Sequence, residues 1–201
     1  MRWHLVYFDD EALGQAWREY FGKQPDVEII HGDICKVECD AIVSPANSFG
    51  FMDGGLDYAL SVRFGWDLQI RLQEMIRARP AGELLVGEAL VVPTNDADVP
   101  WLISAPTMRV PLDVARTVNA YLAMMAILIA ALGHRGKPSI ETVAVPGLGT
   151  GVGALPPDLA AIQMRTAYDE IVLGKGKYPD DLAEAMSHHA RLNPQSLERY
   201  S

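Results

Sequence analysis

The chain has 201 residues, 49% of them hydrophobic and 21% charged, with a formal net charge of −9 at pH 7. This length and composition predict one globular domain over residues 1–192, followed by a polar tail at 193–201 that we expect to fray. The excess of acidic side chains argues against a nucleic-acid backbone as the main partner, because such binding needs clustered lysines and arginines.

Features of membrane, secreted and metal-binding proteins are missing from the sequence. No hydrophobic signal-peptide region follows the N-terminus, and the longest apolar stretch, residues 121–132, is shorter than the ~20 residues that span a bilayer. Cys35 and Cys39 are too few for a disulfide framework, and no second Cys or Cys/His pair completes a zinc site. We therefore expect a cytoplasmic protein with reduced thiols that binds no membrane, metal or cofactor.

Strand-like and helix-like patterns alternate along the chain. Apolar runs bounded by turn residues predict six strands, at residues 3–8, 27–31, 40–43, 89–92, 101–105 and 142–145. Helical patterns predict helices at residues 11–21, 56–64, 67–79, from an Asp113 cap to 132, 156–173 and 180–190. The alternation predicts a three-layer α/β/α sandwich with a mixed, largely parallel central sheet.

Two glycine-rich segments each follow a predicted strand. The first glycine loop, residues 44–57, reads SPANSFGFMDGGLD, and the second glycine loop, residues 146–156, reads PGLGTGVGALP. Backbone N–H groups approach an anion closely where no Cβ intervenes, and open α/β sheets bind ligands outside the carboxyl ends of their strands. Because the loops carry too few basic residues to bind an anion by charge alone, they predict a clamp that holds a diphosphate through main-chain amides.

At these segments the chain resembles the macrodomain family. Residues 32–43, GDICKVECDAIV, look like the opening signature of that family, and the two glycine loops are similar to its two phosphate loops. The resemblance extends over roughly residues 27–173, with the three motifs in the expected order. It implies the macrodomain fold, with ADP-ribose or an ADP-ribosylated substrate as the partner; nucleic acid enters only as one possible modified substrate.

The resemblance also assigns binding roles to particular residues. Asp33 matches the aspartate that accepts a hydrogen bond from the adenine amine, and the backbone of Ile34 adds to that contact. Other residues matching the diphosphate-binding positions are Gly54, Gly55, Leu56, Gly147, Gly149, Thr150, Gly151, Val152 and Gly153. The simpler alternatives are that Asp33 is a turn or cap residue and that the glycines only form tight turns.

Asp57 and Asn47 carry the catalytic expectation. In the resemblance, Asp57 orients or activates a water near the distal ribose, and Asn47 contacts that ribose. A carboxylate suits this task because it orients water and stabilises the positive charge that develops as a glycosidic bond breaks. The implied activity is hydrolysis of mono-ADP-ribosyl or O-acetyl-ADP-ribose-type linkages. The alternative is an ADP-ribose-binding module without catalysis, in which Asp57 is an ordinary first-turn aspartate favoured by the helix dipole.

Several positions depart from the family pattern. Ser44 stands where asparagine is usual, and Met52 and Asp53 replace the first two residues of a four-glycine run. Gly153 stands where many members have an aromatic residue that covers the distal ribose. Side chains that could replace that aromatic platform are Phe49, Phe51 and Trp101. Arg109, at another predicted strand end, either reaches a phosphate or forms a surface ion pair.

Two other nucleotide-binding motifs are disfavoured. Residues 149–154 imitate the dinucleotide fingerprint G-x-G-x-x-A, with Asp169 and Glu170 about twenty residues further on. However, the prolines at 156–157 interrupt the tight turn into the helix that this fingerprint requires. A P-loop is disfavoured more strongly, because neither glycine loop is followed by the lysine that such a loop needs.

Overall fold

The computed structural model describes residues 1–197, and the rest of the expected tail, 198–201, lies outside the described residues. Within that range one sheet contains six strands: β1 (Arg2–Tyr7), β2 (Val27–His31), β3 (Ala41–Ser44), β4 (Leu90–Pro93), β5 (Trp101–Ser104) and β6 (Thr142–Val145). The α-helices are α1 (Glu11–Phe21), α2 (Gly55–Phe64), α3 (Asp67–Arg77), α4 (Asn119–Gly133), α5 (Pro157–Ile171) and α6 (Leu182–Leu192).

The strand order is β2-β1-β6-β3-β5-β4. Every neighbouring pair is parallel except β4 and β5, which run antiparallel. The prediction of a mixed, largely parallel sheet is therefore confirmed. Because β1, β6, β3 and β5 are neighbours that point the same way, the loops after their carboxyl ends lie along one edge of the sheet.

Hydrophobic side chains fill both faces of the sheet, as strand periodicity requires. Along β1, Leu5 belongs to the core that also contains Trp17 of α1 and Met164 of α5. The next residue, Val6, belongs to the opposite core, which contains Leu60 of α2. These two apolar layers confirm the three-layer sandwich. No helix in the described range is long and apolar enough to cross a bilayer.

The prediction that Asp113 caps α4 is wrong. The helix begins at Asn119, and the Asp113 carboxylate accepts a hydrogen bond from the Ala115 N–H in a turn before it. The Val114 N–H bonds to the carbonyl of Gly153 at 2.8 Å, and the Thr117 N–H bonds to the Val114 carbonyl at 2.9 Å. These residues therefore form a separate turn before the helix.

The C-terminal segment also differs from expectation. Asn193, predicted as the first residue of a fraying tail, is fully buried, and residues Pro194–Leu197 form a short 3-10 helix. The side chain of Asn193 donates hydrogen bonds to the carbonyls of Ala115 and Thr117, which hold it in place. The division of the chain into a domain at 1–192 and a tail stays a prediction.

Asp40 fastens β3 to β6 where both strands begin. Its Oδ2 accepts hydrogen bonds from the backbone N–H groups of Glu141 and Thr142, each at 2.8 Å, and from the Thr142 hydroxyl, also at 2.8 Å. Three donors converge on one carboxylate oxygen, so this side chain aligns the two strands that lead into the glycine loops.

We expect Asp40→Ala to lower the free energy of unfolding by about 2 kcal/mol or more, because hydrogen bonds to a charged group are among the stronger ones. Urea titration followed by circular dichroism measures the change. The matched control is Asp98→Ala, which removes an exposed carboxylate from the 94–100 turn. Equal losses in the two variants would contradict the role given to Asp40.

Candidate functional site

A cavity of about 500 Å³ opens at the carboxyl ends of β1, β3, β5 and β6. Its walls come from five parts of the chain: the end of β1 with the start of α1, Ile34 after β2, the first glycine loop, the segment after β5, and the second glycine loop. The two loops predicted to share a ligand therefore face one cavity. Its volume is in the range of small-molecule sites.

The first glycine loop leads into α2 without a side-chain cap. Gly54 is the cap residue in an extended conformation, and no side chain bonds to the first amides of the helix. Gly55 has a φ of +55°, which favours glycine. A Cβ added at either glycine would meet nothing within 4 Å. The free N–H groups of the first turn and the helix dipole thus make this cavity wall suitable for an anion.

Met52 and Asp53, the two departures from the glycine run, point in different directions. Met52 is fully buried in the core on the α2 side of the sheet, and its backbone N–H donates to Gln69 Oε1 at 2.7 Å. Its bulk therefore does not narrow the cavity. Asp53 is exposed and lines the cavity, where its charge opposes an anionic ligand.

Asn47 stabilises the turn that precedes these residues. Its Oδ1 accepts hydrogen bonds from the backbone N–H groups of Phe49 and Phe51, and its Nδ2 donates to the Phe51 carbonyl at 2.9 Å. An asparagine amide has two N–H bonds, so one donor is left after the contact with Phe51. Asn47 also lines the cavity.

Asp57 lies on the first turn of α2 and lines the same cavity. Its Oδ1 accepts a hydrogen bond of 2.6 Å from the hydroxyl of Ser44, which is fully buried at the end of β3. Burial of the carboxylate raises the pKa of Asp57 to about 6, although the Ser44 bond acts in the opposite direction. Ser44, where the resemblance expected asparagine, is therefore a partner of the predicted catalytic aspartate.

The second glycine loop is closed by two turn hydrogen bonds, from the N–H of Ala154 to the Gly151 carbonyl and from that of Leu155 to the Gly149 carbonyl, each at 2.9 Å. Gly149 has a φ of +74°. A Cβ at Gly153 would lie 2.6 Å from both the Gly149 carbonyl oxygen and Val114 Cγ2. This loop conformation leaves no room for the aromatic residue that the resemblance expects at 153.

The cavity brings together nearly all of the residues predicted from the sequence. Those lining it are Ile34, Asn47, Gly54, Gly55, Leu56, Asp57, Gly147, Gly149, Thr150, Gly151, Val152 and Gly153. Asp33 does not line it: its carboxylate accepts a hydrogen bond from the Cys35 N–H and caps a short 3-10 helix, Ile34–Lys36. Its adenine role stays a prediction.

Of the three aromatic candidates for a ribose platform, Phe51 lines the cavity, with 53% of its surface exposed. Phe49 lies beneath the guanidinium of Arg109, and the indole of Trp101 donates to the Pro138 carbonyl outside the cavity lining. Arg109 does not line the cavity either; it forms a two-point ion pair with Glu83, which is the surface alternative considered for it.

Sequence reasoning missed the wall formed by the end of β1. Tyr7 and Phe8 line the cavity, and Phe8 is 66% exposed. Two aromatic residues at the carboxyl end of the strand predicted at 3–8 were the available signal. On the opposite wall, Thr107 donates through its hydroxyl to the Pro45 carbonyl at 3.2 Å, which ties the segment after β5 to the first glycine loop.

The charge of the lining is unusual for an anion site. Its ionisable side chains include the carboxylates of Asp10, Asp53 and Asp57, and the described lining residues include no lysine, arginine or histidine. Asp10 is occupied in capping α1, where it accepts a hydrogen bond from the Leu13 N–H. An anionic group in this cavity therefore has uncharged donors: main-chain amides and side chains such as the Thr150 hydroxyl.

Comparison with known proteins relates this chain to the macro domain family. The profile of the Macro domain family matches residues 43–164. An uncharacterized protein of Aeropyrum pernix is 35% identical over 148 residues, covering 74% of this chain and 71% of that protein. The Oceanobacillus iheyensis macrodomain with ADP superposes with a TM-score of 0.60 at 18% identity, covering 84% of this chain and 88% of that one. The Trypanosoma brucei macrodomain in complex with ADP-ribose superposes with a TM-score of 0.52 at 21% identity, covering 69% of this chain and 56% of that one.

The two structural likenesses support the fold, and the family profile covers more than half of the chain. This chain belongs to the macro domain family.

Proposed function

We propose that this protein binds ADP-ribose in the cavity and hydrolyses mono-ADP-ribosyl or O-acetyl-ADP-ribose-type linkages. The observation that carries the proposal is the convergence of two glycine loops and the part-buried carboxylate of Asp57 on the same cavity. Related folds have been solved with ADP and with ADP-ribose, which supports the choice of ligand.

In this proposal the diphosphate lies between the first amides of α2 and the amides of the second glycine loop. Gly54 and Gly55 suit this role because their Cα atoms face open space, so a phosphate oxygen approaches the backbone without obstruction. Adenine occupies the end of the cavity near Ile34, where Asp33 reads its amine. The distal ribose then reaches Asn47 and Asp57.

Asp57 is the proposed base. Ser44 occupies Oδ1, which leaves Oδ2 to accept a hydrogen bond from a water molecule. At a glycosidic linkage, the water oxygen forms a bond to the anomeric carbon of the distal ribose and passes a proton to Asp57. The acceptor leaves with the electron pair of the broken C–O bond and takes up a proton from solvent. The remaining N–H of Asn47 holds a ribose hydroxyl during this step.

The alternative function is an ADP-ribose-binding module without turnover. Two observations favour it: the Asn47 amide is already committed to its own turn, and Asp53 places a second carboxylate at the cavity. In that case Asp57 contributes only to binding. Release of ADP-ribose from modified protein and modified nucleic acid distinguishes the two functions.

We expect Gly54→Val to weaken ADP-ribose binding at least about tenfold, or ~1.4 kcal/mol, because its side chain enters the space given to the diphosphate. Its extended backbone and open surroundings allow the fold to remain intact. Calorimetric titration measures the affinity. The matched control is Gly133→Val, at the distant end of α4, where a Cβ also meets nothing. If Gly54→Val binds ADP-ribose with unaltered affinity, the diphosphate does not lie against the wall formed by Gly54.

We expect the rate of ADP-ribose release to rise about tenfold between pH 5 and pH 7, because a base with a pKa of about 6 acts only when ionised. Asp57→Asn should lower the rate at least about a hundredfold while ADP-ribose still binds. Single-turnover release from mono-ADP-ribosylated substrates measures both effects. Binding without release from any substrate, unchanged by this substitution, would leave the non-catalytic module as the function.

Ionisation of the same carboxyl group should lower folding stability, although it raises the rate of release. The folded-state pKa of Asp57 is raised, so the folded protein holds this proton more tightly than the unfolded chain, and stability falls as pH rises from about 4 to 6. We expect Asp57→Asn to raise the Tm at pH 8 and to have a smaller effect at pH 4. Differential scanning calorimetry measures this, with Asp53→Asn as the exposed control. The same Tm difference at both pH values would contradict a buried, titrating Asp57.

A further inference from the structure

A short turn lies directly beneath the second glycine loop. The support turn, residues 113–118, separates the segment after β5 from α4. Within it, the Val114 N–H donates to the Gly153 carbonyl at 2.8 Å, and the Val114 side chain is buried. Val114 Cγ2 would lie 3.2 Å from a Cβ at Gly149 and 2.6 Å from one at Gly153. The position of the second glycine loop therefore depends on where Val114 sits.

The support turn is held by two buried side-chain amides from distant parts of the chain. Asn193 Nδ2 donates to the carbonyls of Ala115 and Thr117, at 2.8 and 3.0 Å. Gln163 Nε2, on α5, donates to the Thr117 carbonyl at 2.9 Å and to the Leu192 carbonyl at 3.3 Å. The carbonyls of Ala115 and Thr117 lie outside α4, so they need hydrogen-bond donors from other parts of the chain. Asn193 and Gln163 supply them.

The helix that precedes Asn193, α6, is itself attached to the body of the domain. His188 on α6 is 2.8 Å from Glu170 Oε1, and the Tyr121 hydroxyl of α4 donates to Glu170 Oε2 at 2.7 Å. Leu192, the last residue of α6, is buried. The match to the Macro domain family ends at residue 164, so α6 and Asn193 lie beyond the matched stretch.

We propose that Asn193 is a positioning residue for the second glycine loop and thereby sets the affinity for the diphosphate. Asn193 holds the carbonyls of the support turn, the turn fixes Val114, and Val114 fixes Gly149 and Gly153. The inference rests on the proposed function for the identity of the ligand, whereas the mechanical coupling from Asn193 to the loop stands without it.

The test compares Asn193→Asp with Tyr121→Phe. Asn193→Asp keeps the shape of the side chain but removes the Nδ2 donor and sets a carboxylate against two carbonyl oxygens. Tyr121→Phe also removes one hydrogen bond, the one from the Tyr121 hydroxyl on α4 to Glu170 on α5, but it changes no bond to the support turn. Two measurements are made on the full-length chain: the Kd for ADP-ribose by calorimetry, and hydrogen exchange of the loop-closing amides of Val114, Ala154 and Leu155 by NMR in the unliganded protein.

We expect Asn193→Asp to raise the Kd about tenfold and to accelerate exchange at these three amides by a similar factor, because the loop opens more often. In Tyr121→Phe both quantities should stay within about twofold of the wild type, even though its Tm falls. If Asn193→Asp does not fold, Asn193→Ala removes the same donors without adding a charge and is measured in its place.

The two proposals fail in different ways. Wild-type protein that binds no ADP-ribose refutes the proposed ligand, while faster exchange in the Asn193 variant still supports the coupling. Unchanged exchange at Val114, Ala154 and Leu155 in a folded Asn193 variant overturns the coupling, whatever the wild type binds. A tenfold weaker Kd with unchanged exchange overturns it as well, because the effect then does not pass through the loop.

Discussion

The parallel alignment of β3 with β6 is the constraint on which the site depends. Asp40 fixes it where the strands begin, by accepting hydrogen bonds from the backbone of Glu141 and Thr142. Because the strands are neighbours and point the same way, the segments after them leave the sheet side by side. One segment is the first glycine loop and the other is the second. Two stretches far apart in the chain therefore share one cavity.

The electrostatics of this cavity differ from those of most phosphate sites. Its described lining has carboxylates and no basic side chain, so a phosphate there meets only uncharged donors, chiefly backbone amides supported by the α2 dipole. Backbone amides carry no net charge, so they do not form an ion pair with a nearby carboxylate. Asp57 therefore keeps a pKa set by burial and by the Ser44 hydroxyl instead of by an ion pair. In the proposed mechanism this keeps the base available near neutral pH.

Much of the fold and of the site was predictable because their signals are local. The strand β2 and the helix α1 match the predicted bounds, since periodicity and the Asp10 cap act over a few residues. The glycine loops were recognisable for the same reason: a turn that exposes amides needs glycine at particular positions. The start of α4 was not predictable from local signals, because the residues before it form a turn that contacts the distant Gly153 through the Val114 N–H.

The sequence by itself determined the order of the elements, the alternation that buries both faces of the sheet, and the positions of the two glycine loops. Tertiary structure alone decided that Met52 turns into the core, that Ser44 pairs with Asp57, that Gly153 must stay small against Val114, and that Asn193 holds the support turn. The physical reason is the same in each case. Periodicity and turn chemistry are properties of neighbouring residues, whereas these contacts join segments that meet only after the sheet has formed.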